Sequence, residues 1–190
     1  MNIKELIKNQ IVYFDGGMGT LLQERGLQPG ELPETWNILH PEIITDIHRS
    51  YFEAGANIIK TNTFGANRLK FDNLEEIITK AVENANKARD SFENAYIALD
   101  IGPIGKMLKP LGDLDFEKAV EIFAETVKIG SKLNVDLILI ETMNDSYETK
   151  AAVLAAKENS DLPIFVTTVY DENAKLMTGA NPKCMVAILE

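Results

Sequence analysis

Two carboxylates stand directly behind apolar runs and are followed by small or hydroxyl residues, in Asp15-Gly16-Gly17-Met18-Gly19-Thr20 and in Glu141-Thr142. A third, in Asp100-Ile101-Gly102-Pro103-Ile104-Gly105, repeats the arrangement, and Asn62-Thr63-Phe64-Gly65 and Tyr170-Asp171 mark two more such junctions. A carboxylate accepts charge-assisted hydrogen bonds from an ammonium group, and a glycine-rich turn offers backbone N–H groups to an anion. The combination suits a zwitterion, with Asp15 or Glu141 on its ammonium and the amides around Gly16 on its carboxylate. An amino acid is the natural ligand. Each acid alone is equally well a helix cap or a partner for a nearby amide, and for Asp100, followed by Ile-Gly-Pro, the turn is the better reading.

Other chemistries find little support. Asp15-Gly16-Gly17-Met18-Gly19 has neither the dinucleotide-binding spacing nor that of a P-loop, and no Lys-Ser/Thr follows. Gly-x-Ser-x-Gly, His-Glu-x-x-His and Cys-x-x-Cys are all missing from the sequence. One cysteine and two histidines in 190 residues rule out an internal disulfide and leave few soft metal ligands. Cys184 is expected as a small packed or surface residue in the first turn of a helix, and His40 and His48 as structural or surface residues. The segment from Gly16 to Pro41 is long for a strand-to-helix connection, and such connections are commonly lids or binding loops. Its Trp36 either covers a ligand or fills a hole beneath the loop.

The formal charge of -10 disfavours nucleic acid and anionic membrane surfaces as partners. The stretch Met1–Lys8 alternates charged and apolar residues, unlike a signal peptide or a membrane span, so a cytoplasmic location is the expectation.

The elements that must position these groups follow from the apolar pattern. Runs at 11–14, 57–61, 96–99, 137–140 and 164–168 have the character of parallel strands buried on both faces. Between them lie four stripes at helical spacing: Ile44, Ile47, Tyr51, Ala54; Leu74, Ile78, Ala81, Ala85, Ala88; Phe116, Val120, Phe123, Val127; and Tyr147, Ala151, Leu154. Asn73 and Asp145 each precede a glutamate by three residues, and Asn181-Pro182 places a capping side chain before a proline, so three helix starts are expected there. Strict alternation of strand and helix gives a parallel α/β sheet, either doubly wound or part of a barrel, and the pattern alone does not separate the two. No linker or shift in composition divides the chain, which is expected to form one unit over residues 1–190.

The ordered strings Asp-Gly-Gly-Met-Gly-Thr at 15–20, His-Pro-Glu at 40–42, Gly-Ala-Asn-Ile-Ile-Lys-Thr-Asn-Thr-Phe at 55–64, Asp-Ile-Gly-Pro-Ile-Gly at 100–105, Asp-Leu-Ile-Leu-Ile-Glu-Thr at 136–142 and Thr-Gly-Ala-Asn at 178–181 resemble the homocysteine S-methyltransferase family. Within it, Glu-Thr-Met-Asn-Asp followed by Lys-Ala-Ala is most similar to the N-terminal modules of cobalamin-dependent methionine synthases. Betaine- or S-methylmethionine-dependent members come second.

The resemblance implies a (β/α)8 TIM barrel, of which this chain carries the first five β/α units, with strands six to eight absent. It implies homocysteine as substrate, bound by Asp15, Gly16 and Glu141, with Phe64 as the aromatic behind strand two. It also implies a zinc ion held by three cysteine thiolates, which keeps the substrate sulfur as a thiolate for attack on methylcobalamin. The family's cysteine motifs, Gly-x-Asn-Cys and Gly-Gly-Cys-Cys, do not occur here, and Cys184 stands in for none of them. No metal or cofactor is therefore expected in this chain itself, which would be inactive alone and would work with the remaining strands and with cobalamin and folate modules. The alternative is a non-enzymatic folding or design piece cut from the barrel. In either case open sheet edges invite self-association.

Overall fold

Four of the five apolar runs form one parallel sheet: β1 Ile58–Lys60, β2 Tyr96–Ile101, β3 Leu137–Met143 and β4 Ile164–Thr168, side by side in that order. The computed structural model describes residues 3–190; Met1 and Asn2, within the N-terminal stretch expected to be no leader, lie outside them. Preceding, joining or following the strands are helices α1 Ile3–Asn9, α2 Met18–Glu24, α3 Trp36–Leu39, α4 Pro41–Glu53, α5 Leu74–Arg89, α6 Phe116–Gly130, α7 Ser146–Asn159 and α8 Pro182–Leu189. None of these helices is long and apolar enough to cross a membrane.

The run at 11–14 departs from expectation. It makes a single parallel bridge, Phe14 to Ile58, instead of a ladder. The cause lies in its hydrogen bonds. The Tyr13 carbonyl accepts from both Asn57 and Ile58 N–H groups, while the Tyr13 N–H donates to the Asn57 side chain at 3.0 Å. That sharing breaks the alternation a ladder needs, and Ile11 and Tyr13 stay 75% and 60% exposed.

Sequential strand order decides between the two architectures left open by the sequence. A doubly wound sheet reverses its order at a switch point, whereas here every crossover advances in one direction, which with the usual right-handed connection puts the crossover helices on one face. Strand alternation follows suit. Ile59, Ile97, Leu99, Ile138 and Ile140 pack into the large cluster with α5, α6 and α7. Ile58, Tyr96, Ala98, Leu137 and Leu139 point to the other face, where Ile3 and Leu6 of α1 cover them. That second face is concave. The rings of Phe14 and Phe165, from opposite margins of the sheet, meet edge to face at 6.2 Å, although four inter-strand steps laid flat would separate their strands by roughly 19 Å. The sheet is a curled barrel wall.

Helix starts follow the capping chemistry in two cases of three. Asp145 accepts from the Tyr147 and Glu148 N–H groups, and Asn181 from Cys184 N–H, leaving Cys184 exposed in the first turn of α8 as expected. Asn73 makes no such bond and donates to the Glu76 carboxylate instead. The stripe expected on α7 is rotated. Tyr147 is 62% exposed, and the buried side carries Glu148, Thr149, Ala151, Ala152, Val153, Ala155 and Ala156, whose four alanines let α7 lie close to α6 and β3. His48 is no surface residue. It lies one turn after Ile44 and one before Phe52 on the buried side of α4, fully enclosed, with neither ring nitrogen hydrogen-bonded. Burial alone pushes its pKa down to about 3, so it is neutral.

Candidate functional site

The last inward-facing residues of three strands form one layer at the mouth of the curled sheet. Counting by twos from the concave-face residues, Ile58 leads to Lys60, Tyr96 and Ala98 to Asp100, and Leu137 and Leu139 to Glu141. β2 continues through Asp100 and Ile101, so Asp100 is a buried strand residue and not part of a turn. Beyond Phe14 the chain delivers Asp15, whose N–H donates to Ile58 O and whose Oδ2 accepts from Lys60 N–H at 2.9 Å.

These groups surround a cavity of about 280 Å³, lined also by Gly16, Gly17, Met18, Gly19, Pro33, Glu34, Thr61, Asn62, Phe64 and Thr142. All four residues singled out from the sequence, Asp15, Gly16, Phe64 and Glu141, therefore meet at one place. Gly16 has no room for a side chain, since a Cβ there would come within 2.8 Å of the Tyr51 hydroxyl, which donates to Gly17 O at 3.0 Å. Phe64 lies across Gly102: a Cβ at that glycine would meet the ring at 2.5 Å and the Phe64 carbonyl at 2.7 Å. The Phe64 ring is 41% exposed and forms part of the rim.

A β-bulge closes the inward row at Glu141. Ile140 pairs with Val166 and Met143 with Thr168, so three steps along β3 match two along β4. The extra residue is Thr142, held at φ +63°, where a β-branched side chain is strained; its N–H donates to Thr167 Oγ1 at 3.1 Å. Glu141 thus ends the inward row while Met143 returns to the helix-side core.

The electrostatics centre on Lys60. Its Nζ stands 3.2 and 3.4 Å from the two Glu141 oxygens and 3.9 Å from Asp15 Oδ1. Burial by itself would lower the Lys60 pKa, but Asp15, Glu141 and Asp100 outweigh it and raise the value. Asp15 is pushed up to about 7, chiefly by burial, against the opposing effects of the Lys60 amide and ammonium. Of the two acids beside Lys60, Glu141 is the nearer. Burial, with Glu141 next, raises Asp100 well above the usual carboxylate range. Asp15 Oδ1 and Asp100 Oδ1 are buried with no hydrogen-bond partner.

The long connection after Phe14 is pinned rather than loose. Asn62 donates to Pro33 O at 2.8 Å, Asn37 to Asn62 O at 2.8 Å, and Gly65 N–H to the Glu34 carboxylate at 2.6 Å. Trp36 packs with Leu22, Leu27, Ile44 and Ile47 beneath the loop, against the His40 ring at 4.3 Å, and does not line the cavity. It fills a hole. Lys60, Asp100 and Glu34 were not singled out from the sequence as site residues; the period-two count from the apolar strand residues was the available signal for the first two, and none marked Glu34.

Residues 12–190 match the profile of a protein family described as homocysteine S-methyltransferase. Among curated proteins, methionine synthase of Mycobacterium leprae is 26% identical over 212 aligned residues, covering 100% of this chain, and methionine synthase of Mycobacterium tuberculosis is 27% identical over 202, covering 94%. The chain spans 17% of the length of each. Among solved structures, the homocysteine methyltransferase MmuM from Escherichia coli superposes in its metallated form with a TM-score of 0.87 at 21% identity, over 98% of this chain and 73% of that one. Its apo form gives 0.81 at 24%, over 97% and 69%. The chain shares their α/β barrel fold over nearly all of its own length and over part of theirs.

Proposed function

Because the chain belongs to the homocysteine S-methyltransferase family, we propose that its mouth cavity binds homocysteine and holds it for methylation of its sulfur, as the substrate module of a methionine synthase-like enzyme. The observation that carries this reading is that Asp15 and Glu141 already face an ammonium group, that of Lys60, at 3.9 and 3.2 Å. Glu141 and Asp15 take the ligand's ammonium, Gly16 leaves room beside Tyr51, and Phe64 lies along the thioalkyl chain at the rim. The names of the methionine synthases and of MmuM support the substrate class.

Zinc and methylcobalamin belong to the family's chemistry, the metal by keeping the sulfur nucleophilic and the cobalamin by supplying the methyl group. The residues present do not fit a thiolate-held zinc. The one cysteine, Cys184, is exposed on α8 and lines no part of the cavity, and among the described residues no group of three His, Cys, Asp or Glu side chains is placed to hold a metal. This chain's own contribution is to bind and orient the amino-acid end of the substrate. Methyl transfer then needs residues from outside it, with cobalamin and folate modules as the natural companions.

Calorimetric titration with L-homocysteine tests the reading. The chain is expected to bind without added zinc, and Glu141→Ala to abolish that binding while leaving the fold intact by circular dichroism. Equal binding by both proteins, or none by either, would sink it.

A further inference from the structure

We propose that Lys60 is a resident ammonium that fills the amine subsite of the free cavity, so that an amino acid binds by exchanging its own ammonium for that of Lys60. The inference rests on the amino-acid reading of the cavity and adds a specificity-determining residue to it.

Lys60 is the only basic residue among those lining the cavity, against four acids: Asp15, Glu34, Asp100 and Glu141. It points inward because it continues the row of Ile58 on the concave face, so its presence beside Glu141 is set by strand parity and not by chance contact of a long surface side chain. Its backbone is fixed, since its N–H donates to Asp15 Oδ2 at 2.9 Å and its strand pairs with β2. Only the flexible stem can move, and that side chain is 19% exposed at the mouth, which leaves it a way out to solvent.

Lys60 also leaves the site partly unsatisfied. Its Nζ spends itself on the two Glu141 oxygens, and the buried Asp15 Oδ1 and Asp100 Oδ1 remain without hydrogen-bond partners. A free amino acid has no backbone tether and carries its ammonium on a shorter stem, so it can sit deeper and donate to these oxygens as well. The exchange trades one cation for another against the same acids, which keeps the desolvation cost of the swap small. A ligand lacking an amine has nothing to put in place of Lys60 and leaves it where it is.

The test compares the wild-type chain with Lys60→Met, titrating each with L-homocysteine and with its desamino analogue, which keeps thiol and carboxylate. Homocysteine is expected to bind Lys60→Met at least roughly tenfold more tightly than wild type, with no matching gain for the analogue. Weaker homocysteine binding by Lys60→Met would show that Lys60 grips the ligand's carboxylate instead, and an equal change for both ligands would reduce Lys60 to packing; either overturns the proposal. If homocysteine binds neither protein, the amino-acid reading fails, and methylammonium chloride decides the residency of Lys60 separately. It should saturate Lys60→Met and not wild type, and the same response from both would overturn residency. Should Lys60→Met not fold, the Nζ resonance of Lys60 in wild type gives the answer, moving to a solvent-like position on adding homocysteine if the exchange occurs and staying put if it does not.

Discussion

Replacing Asp15 by Asn removes a buried carboxyl group at the centre of the cavity and makes a sharp prediction about pH. In the fold the Asp15 pKa rises from 3.8 to about 7, with burial as the largest cause. Between those values the folded chain holds a proton that the unfolded chain has lost, so this group makes stability fall as pH rises from about 4 through about 7. At roughly 1.4 kcal/mol for each tenfold change in proton affinity, the full loss from this one group is up to about 4 kcal/mol above neutral pH. His48 works in the opposite sense, its depressed pKa removing stability as pH falls from 6.5 toward about 3. Comparing two proteins that both keep His48 cancels its effect. Asp15→Asn keeps an oxygen to accept the Lys60 N–H and cannot ionise, so its stability is expected to decline far less than that of wild type between about pH 5 and about pH 8 in urea unfolding. Parallel curves for the two proteins would refute the argument, and so would a wild-type chain whose stability relative to the variant rises over that range.

Three further outcomes are expected. Thr142→Gly relieves the strain of a β-branched residue at φ +63°, so its urea midpoint should hold or rise, where Thr→Gly in an ordinary strand costs about 1 kcal/mol; a loss beyond about 1 kcal/mol would show that the bulge is not strained. Gly102→Ala drives a methyl group into the Phe64 ring and carbonyl at 2.5 to 2.7 Å; it should cost about 1–3 kcal/mol of stability and weaken homocysteine binding through the displaced ring, and unchanged values for both would contradict the packing described. The sheet margins carry exposed Ile11 and Tyr13 on one side and Val169 beyond β4 on the other, so sedimentation should show association that grows with concentration, and a clean monomer throughout would count against open-edge pairing.

The strands were legible because a parallel sheet buries both faces, and runs such as Leu137-Ile138-Leu139-Ile140 announce that by composition. The same property hid the site. When inward and outward residues are both apolar, parity cannot be seen inside the run, and it emerges only where a polar residue ends it. Lys60, Asp100 and Glu141 are those endings, one per strand. Of the three, only Glu141 was selected, by its place behind its run and by the family resemblance. Asp100 was assigned to a turn because Ile-Gly-Pro follows it, although β2 runs two residues past the expected end. Lys60 passed as ordinary strand sequence, since a lysine usually signals water.

His48, expected as a structural or surface residue, is the structural one, because its spacing of four from Ile44 and Phe52 puts it on the buried stripe. The bulge at Thr142 could not have been read at all, because it is a relation between two strands, three steps against two, and becomes visible only when Ile140 and Met143 find Val166 and Thr168. The site therefore depends on long-range register at two levels. Local sequence supplies the acids, and strand pairing decides which of them face one another. It is the second level that sets Lys60 between Asp15 and Glu141.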